Sequence, residues 1–82
     1  LIVFVEVKLR KIYRKEEFRV DDLVTERKKQ ALLRGGQVFL QKNENLCYEN
    51  IRFDLCVLGY RQTFSFLKIE STKVYQDFLF FS

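Results

Sequence analysis

Three observations predict an α/β fold for this chain. It opens on Leu1-Ile2-Val3-Phe4-Val5, an unbroken apolar run of mostly β-branched and aromatic residues, which reads as a buried strand rather than a helix. Leu32, Gly36, Phe39 and Leu40 then recur at i, i+4, i+7 and i+8, the stripe of a helix packing on a sheet. Ile51 to Leu58 follows as a second strong strand. Strand, crossover helix and strand make a βαβ unit, so the two strands are expected to run parallel with a right-handed connection.

The first strand is expected from about Ile2 to Leu9. Arg10 to Asp22 is charged and irregular, with Tyr13 and Phe18 among the charges, and reads as a surface loop or short helix. Thr25 suits an N-cap and Glu26 the first helical turn. Gly35-Gly36 is the weak point of that helix, since glycine costs roughly 1 kcal/mol against alanine in a helix interior. The glycines either let the helix sit close on the sheet or end it at Gly35. Phe39-Leu40 keeps the stripe in phase, which favours a continuous helix to about Lys42.

Asn43-Glu44-Asn45 reads as a turn. In the second strand Arg52, Asp54 and Cys56 share one face, and Ile51, Phe53, Leu55 and Val57 the other. Gly59-Tyr60-Arg61-Gln62 is expected to turn into a third, antiparallel strand over about Thr63 to Ile69. The aromatic tail Val74 to Phe81 fits a short helix or an edge strand, and Phe78-Leu79-Phe80-Phe81 a core or interface.

Eighty-two residues make a single domain, residues 1–82, and a chain of this size buries only about 60–65% of its unfolded surface. A hydrophobic content of 48%, with 9 Phe and 4 Tyr, is enough for a core and argues against disorder. Fifteen Lys and Arg against eleven Asp and Glu give +4, a moderate bias toward polyanions. Cys47 and Cys56 are not in a C-x-x-C arrangement and there is no His, which argues against zinc. Both read as packing residues, reduced in a cytoplasmic protein. No signal peptide and no membrane span is expected. The chain has no Met and begins inside a strand, so it reads as part of a longer translation product. Apolar surface exposed in such a piece would favour a homodimer.

The chemistry is concentrated at the end of the first strand. Glu6 and Lys8 project from one strand face, one pleat apart. A carboxylate there can hold a divalent cation, and an ammonium beside it can orient or polarise water for in-line attack on a phosphodiester. Strands also commonly become charged as they leave a core, which is the plainer account. Lys8-Leu9-Arg10-Lys11-Ile12-Tyr13-Arg14-Lys15 carries five basic residues. It reads either as a grip on nucleic-acid phosphates or as a solvated loop balanced by Glu16, Glu17, Asp21 and Asp22. Arg27, Lys28, Lys29 and Arg34 form a second basic face. Asp54 is either a further cation ligand or the partner of Arg52.

Leu1 to Lys8 with Arg10, Val24-Thr25-x-x-Lys28, and Arg52-Phe53-Asp54 together resemble the YraN family of predicted endonucleases. That family belongs to the restriction-endonuclease-like superfamily and is similar to archaeal Holliday-junction resolvases. The resemblance covers about residues 1 to 58. It implies a partial restriction-endonuclease-like fold: a strand-helix-strand core with an added antiparallel strand, the C-terminal part of a nuclease-like domain. The family's N-terminal helix and its β-hairpin with a Gly-Glu-x-Asp segment are not in this sequence. Lys29 stands where the family has glutamine, and Gly35 and Gly36 where it has small alanines. By the resemblance, Glu6 is a metal ligand, the Val7 carbonyl completes the inner sphere, Lys8 is the catalytic lysine and Lys28 matches the helix lysine. The implied activity is metal-dependent hydrolysis of DNA phosphodiesters, on branched or damaged DNA, with Mg²⁺ or Mn²⁺ and with Lys28 on the nucleic acid; Arg10, Lys11, Arg14 and Lys15 join it from the reading of the basic run itself. Without its hairpin acid the chain as given is expected to be weak or inactive. The alternative is a non-catalytic nucleic-acid-binding or interaction module.

Overall fold

The computed structural model describes residues 1–12 and 19–79. In chain order the elements are β1 (Ile2–Lys11), α1 (Val20–Leu23), α2 (Glu26–Lys42), β2 (Ile51–Thr63) and β3 (Phe66–Leu79). The strands form one mixed sheet in the order β1-β2-β3. β1 and β2 are parallel, with Ile2 beside Ile51 and an unbroken register to Lys11 beside Tyr60. β3 returns antiparallel to β2. The strand-helix-strand core with an added antiparallel strand is therefore the architecture observed.

α2 forms where its cap and stripe placed it. The Thr25 hydroxyl accepts from the Lys28 backbone N–H at 3.2 Å, satisfying one of the donors that a helix N-terminus leaves unpaired. The helix passes straight through Gly35-Gly36 and ends at Lys42. Asn43 closes it, its side-chain amide donating to the Phe39 carbonyl at 2.8 Å, and the turn at 43–45 follows. The two glycines behave differently. A Cβ on Gly36 would lie 2.7 Å from the tip of the Phe53 ring, whereas one on Gly35 would meet open space. Gly36 thus lets α2 approach β2 closely, and the Phe53 ring it admits stacks on Phe4 at 5.0 Å. Phe39 meets Phe4 edge-on at 5.6 Å. Beside this aromatic cluster the core consists of Leu23, Val24, Leu55 and Val57, with Val20, Leu32, Tyr75 and Phe78 packed against it.

Four expectations need correction. β1 does not stop at Leu9; it continues to Lys11, because Arg10 and Lys11 stay in register with Gly59 and Tyr60. The residues expected as a turn, Gly59 to Gln62, lie inside β2, which runs on to Thr63, and the hairpin turn falls at Phe64-Ser65. Gly59 is there for close approach: a Cβ would collide with the Ser71 hydroxyl and come within 2.9 Å of Ile12. β3 accordingly starts later than expected, at Phe66, and takes up the tail from Val74 as far as Leu79 as an edge strand, one of its two readings; Phe80 and Phe81 lie outside the described residues. Cys47 is exposed rather than packed, and Cys56 is half-buried; both are free thiols.

Among the described residues only one face of the sheet is covered. On β1, Ile2, Phe4, Glu6, Lys8 and Arg10 face α2 and are half-buried, while Leu1, Val3, Val5, Val7 and Leu9 are exposed. Among the described residues, β1 is an edge strand whose outer side no other strand pairs.

Candidate functional site

Strand alternation carries Glu6 and Lys8 to the helix-covered face, and their side chains pair at 2.9 Å. The first turn of α2 reaches the same point, with the Lys28 ammonium 4.0 Å from the same Glu6 oxygen. Three residues singled out from sequence, on two elements, therefore converge on one carboxylate. Glu6 and Lys8 are about one-fifth exposed and Lys28 about half, so the group lies at the rim of the core and is open to solvent. A half-open cleft of about 250 Å³ runs from Glu6 beneath α2, lined by Phe4, Ala31, Leu32, Gly35 and Phe53 among others. Sequence reasoning did not anticipate it. Its signal was available: Ala31 and Gly35 are small residues four apart on one helical face.

The other basic candidates separate. Arg10 stays on the face of Glu6 and Lys8, its guanidinium donating to the Leu9 carbonyl at 3.0 Å, while Lys11 falls on the opposite, exposed face. Extension of β1 divides what looked like one continuous basic run between two sheet faces. Arg14 and Lys15 lie outside the described residues. Lys29 is mostly buried along α2 and reaches Glu26 at 3.9 Å.

Asp54 does not join Glu6. The register sets Asp54 beside Val5 and Glu6 beside Leu55, so the two carboxylates leave the sheet on opposite faces. Asp54 is buried and fully engaged. Arg52 donates to it through Nε at 2.8 Å and Nη2 at 2.9 Å, a bidentate fork. The backbone N–H of Asp77 donates at 3.0 Å, from a left-handed backbone conformation with φ 57°. The Arg52 hydrogen bonds hold the Asp54 carboxyl below the usual carboxylate range against the opposing effect of burial, and the Asp77 N–H adds to the lowering. Pairing with Arg52 was one of the two readings of Asp54, and it is the one observed.

Among the described residues no three Asp, Glu, Cys or His side chains gather at one point. In kind, the Glu6 carboxylate and the Val7 carbonyl are the hard oxygen donors that Mg²⁺ prefers; in number they are few, since that ion usually takes one or two carboxylates together with substrate phosphates.

The sequence pattern of Uncharacterised protein family UPF0102 matches residues 2–58, well over half of the chain. The chain belongs to that family. UPF0102 is the YraN family that the three motif blocks resemble, and its match spans β1, α1, α2 and the first part of β2, ending at Leu58. All three converging residues, Glu6, Lys8 and Lys28, lie within it. No curated protein and no solved structure matches the chain. Among the described residues, no helix is long and apolar enough to cross a membrane.

Proposed function

We propose that this UPF0102 chain is a relative of metal-dependent DNA endonucleases, with Glu6, Lys8 and Lys28 at its working point. The observation that carries the reading is the convergence of both lysines on the Glu6 carboxylate, at 2.9 and 4.0 Å, beside an open cleft. Glu6 and the Val7 carbonyl would hold the cation. A bound Mg²⁺ or Mn²⁺ supplies Lewis-acid polarisation of the phosphoryl group and lowers the pKa of a water. Lys8 stands one pleat away, placed to orient that water and to stabilise charge building on the phosphate. Lys28 and Arg10 lie where they neutralise flanking phosphates, Lys11 serves DNA passing round the strand end, and Arg14 and Lys15 belong to the same basic stretch in sequence. The substrate proposed is branched or damaged DNA, and the compartment cytoplasmic.

The test is cleavage of junction and linear DNA with and without Mg²⁺. Without the hairpin acid cleavage is expected to be weak at most, and whatever is seen is expected to require the ion and to disappear in Glu6→Ala and Lys8→Ala. Robust Mg²⁺-dependent cleavage that survives Glu6→Ala overturns these roles.

A second reading has its own observation: two ammonium groups surround one carboxylate, leaving the cluster net positive without any metal. A non-catalytic nucleic-acid-binding module follows from that. It predicts DNA affinity that falls steeply with salt, needs no Mg²⁺ and is unchanged by Glu6→Gln.

A further inference from the structure

β2 and β3 run on past the end of β1. Among the described residues β1 pairs with β2 no further than Lys11 beside Tyr60, whereas β2 and β3 stay paired to Thr63 beside Phe66. Arg61 to Lys68 thus projects as a two-stranded arm closed by the turn at Phe64-Ser65, and every residue of it is exposed. Ile2 pairs with Ile51 and Leu79 with Phe53, so the arm tip lies at the far end of the sheet from both. It also lies beyond residues 2–58, which the family pattern matches.

The register gives the arm two unlike faces, because neighbouring residues in a ladder share a face. Lys8 lies beside Val57, and Val57 beside Lys73; Arg10 lies beside Gly59; two residues further on, Arg61 lies beside Lys68. The face toward α2 therefore carries Lys8, Arg10, Arg61, Lys68 and Lys73, with Lys28 reaching in from the helix. The carboxylates beside them are Glu6 and Glu70, the latter accepting from Arg61 Nε at 2.6 Å. The other face of the arm bears Tyr60, Gln62, Leu67 and Ile69. Same-face residues are about 6.7 Å apart along a strand, so the basic side chains extend about 13 Å from the row of Lys8 to that of Arg61 and Lys68. One further step along the same face stands Phe66, 64% exposed, and at the turn Phe64 is fully exposed.

We propose that this face of the β2–β3 arm binds a single-stranded stretch of DNA leading away from Glu6, Lys8 and Lys28, with Arg61, Lys68 and Lys73 on its phosphates and Phe66 stacked on a base. The occupant follows from charge and from the aromatic at the end of the track. Cations that follow a phosphate backbone, joined to an exposed ring, are the combination that holds unpaired nucleic acid, since every base has a π-face to offer. In a duplex those faces are already stacked on one another, and Phe66 finds none. The inference rests on the nucleic-acid reading of the Glu6 cluster and narrows its substrate to DNA with an unpaired flank beside the cut.

The experiment is fluorescence anisotropy with a labelled single strand, a blunt duplex and a duplex with one splayed end, without divalent ions and over a range of salt. The proteins are the parent chain, Lys68→Gln with Lys73→Gln, Phe66→Ala, and Gln62→Ala as a control on the other face, with circular dichroism to establish folding. The parent binds the single strand and the splayed duplex. The double lysine variant loses about 1.4 from the slope of log K against log salt, two phosphate contacts at about 0.7 each on single strands. Phe66→Ala weakens single-strand binding about tenfold and leaves the blunt duplex unchanged, and Gln62→Ala alters neither. Should Phe66→Ala not fold, Phe66→Leu keeps the apolar bulk without the π-face and reads the same loss.

A parent that binds no DNA, variants that bind the single strand as the parent does, or a Phe66→Ala loss equal on strand and duplex overturns the inference. Displacement of the oligonucleotide by polyglutamate as readily as by unlabelled single strand overturns it too, making the arm a surface for acidic protein. Cleavage that Glu6→Ala abolishes, with binding indifferent to the arm substitutions, removes this inference and leaves the nuclease reading. Arm-dependent binding with no cleavage that depends on Glu6 removes the nuclease reading alone.

Discussion

Replacing each of the two adjacent helix glycines by alanine tests the packing of α2 on β2 most directly. Both lie in the interior of α2, and neither has a positive φ, so alanine suits both backbones. Removing the entropy and solvation penalty of helical glycine is worth about 1 kcal/mol. At Gly35 nothing lies within reach of the new methyl group. Gly35→Ala is therefore expected to stabilise by about 1 kcal/mol, or roughly 4–8 °C in Tm for a domain of this size. At Gly36 the methyl would sit 2.7 and 3.0 Å from two Phe53 ring carbons. That ring has little room to yield, being stacked on Phe4 at 5.0 Å and buried at 4% exposure. Overpacking of this kind costs about 1–3 kcal/mol, which offsets or exceeds the propensity gain. Gly36→Ala is expected to lie about 1–3 kcal/mol below Gly35→Ala. Urea unfolding of the two variants beside the parent chain measures the difference. Equal stabilisation by both substitutions would refute the close approach of helix and sheet at Gly36.

Thr25→Ala removes the side-chain acceptor for the Lys28 N–H and is expected to cost about 1 kcal/mol in thermal unfolding, with Thr25→Ser close to the parent. Phe53→Ala empties the junction of Phe4, Phe53 and α2 and is expected to cost about 3–5 kcal/mol, a large share of a small domain's stability. Asp54, held ionised mainly by its Arg52 hydrogen bonds, gains a pH dependence of defined sign. Its folded pKa lies below its unfolded value, so its contribution is fully present above about pH 4 and is lost as pH falls through the depressed folded value. Unfolding measured against pH should show a stability advantage over Asp54→Asn at neutral pH that shrinks through the acid range. An advantage independent of pH would count against the Arg52–Asp54 pair as its origin.

Much of the candidate site was legible because strand and helix periodicities are local rules. Alternation placed Glu6 and Lys8 on one face, and an N-cap at Thr25 placed Lys28 in the first turn of the helix. That Lys28 reaches the Glu6 oxygen is a distance between two elements, set by how α2 lies across β1, and no spacing in the chain encodes it. The end of β1 was placed two residues early for a related reason. The basic run has the composition of a loop, yet its first residues follow Gly59 and Tyr60 as strand, so Lys8 and Arg10 part from Lys11 across the sheet.

The hairpin shows the same division. Gly59 has the chemistry of a turn residue, and its role in the middle of β2 appears only when Ser71 and Ile12 close in on its Cα. Phe64-Ser65, which makes the turn, carries only the weak local signal of Ser65; the pairing of Thr63 with Phe66 decides it. By itself the sequence determined the α/β class, the two parallel strands, the capped helix between them and the shared face of Glu6 and Lys8, because each follows from side-chain periodicity and backbone preference within a few residues. Only the tertiary structure decided where β2 turns, which face Asp54 serves, that Gly36 rather than Gly35 is needed, and that one sheet face and the β1 edge stay uncovered among the described residues. Those depend on contacts between residues far apart in the chain, where close packing rather than local preference selects the arrangement.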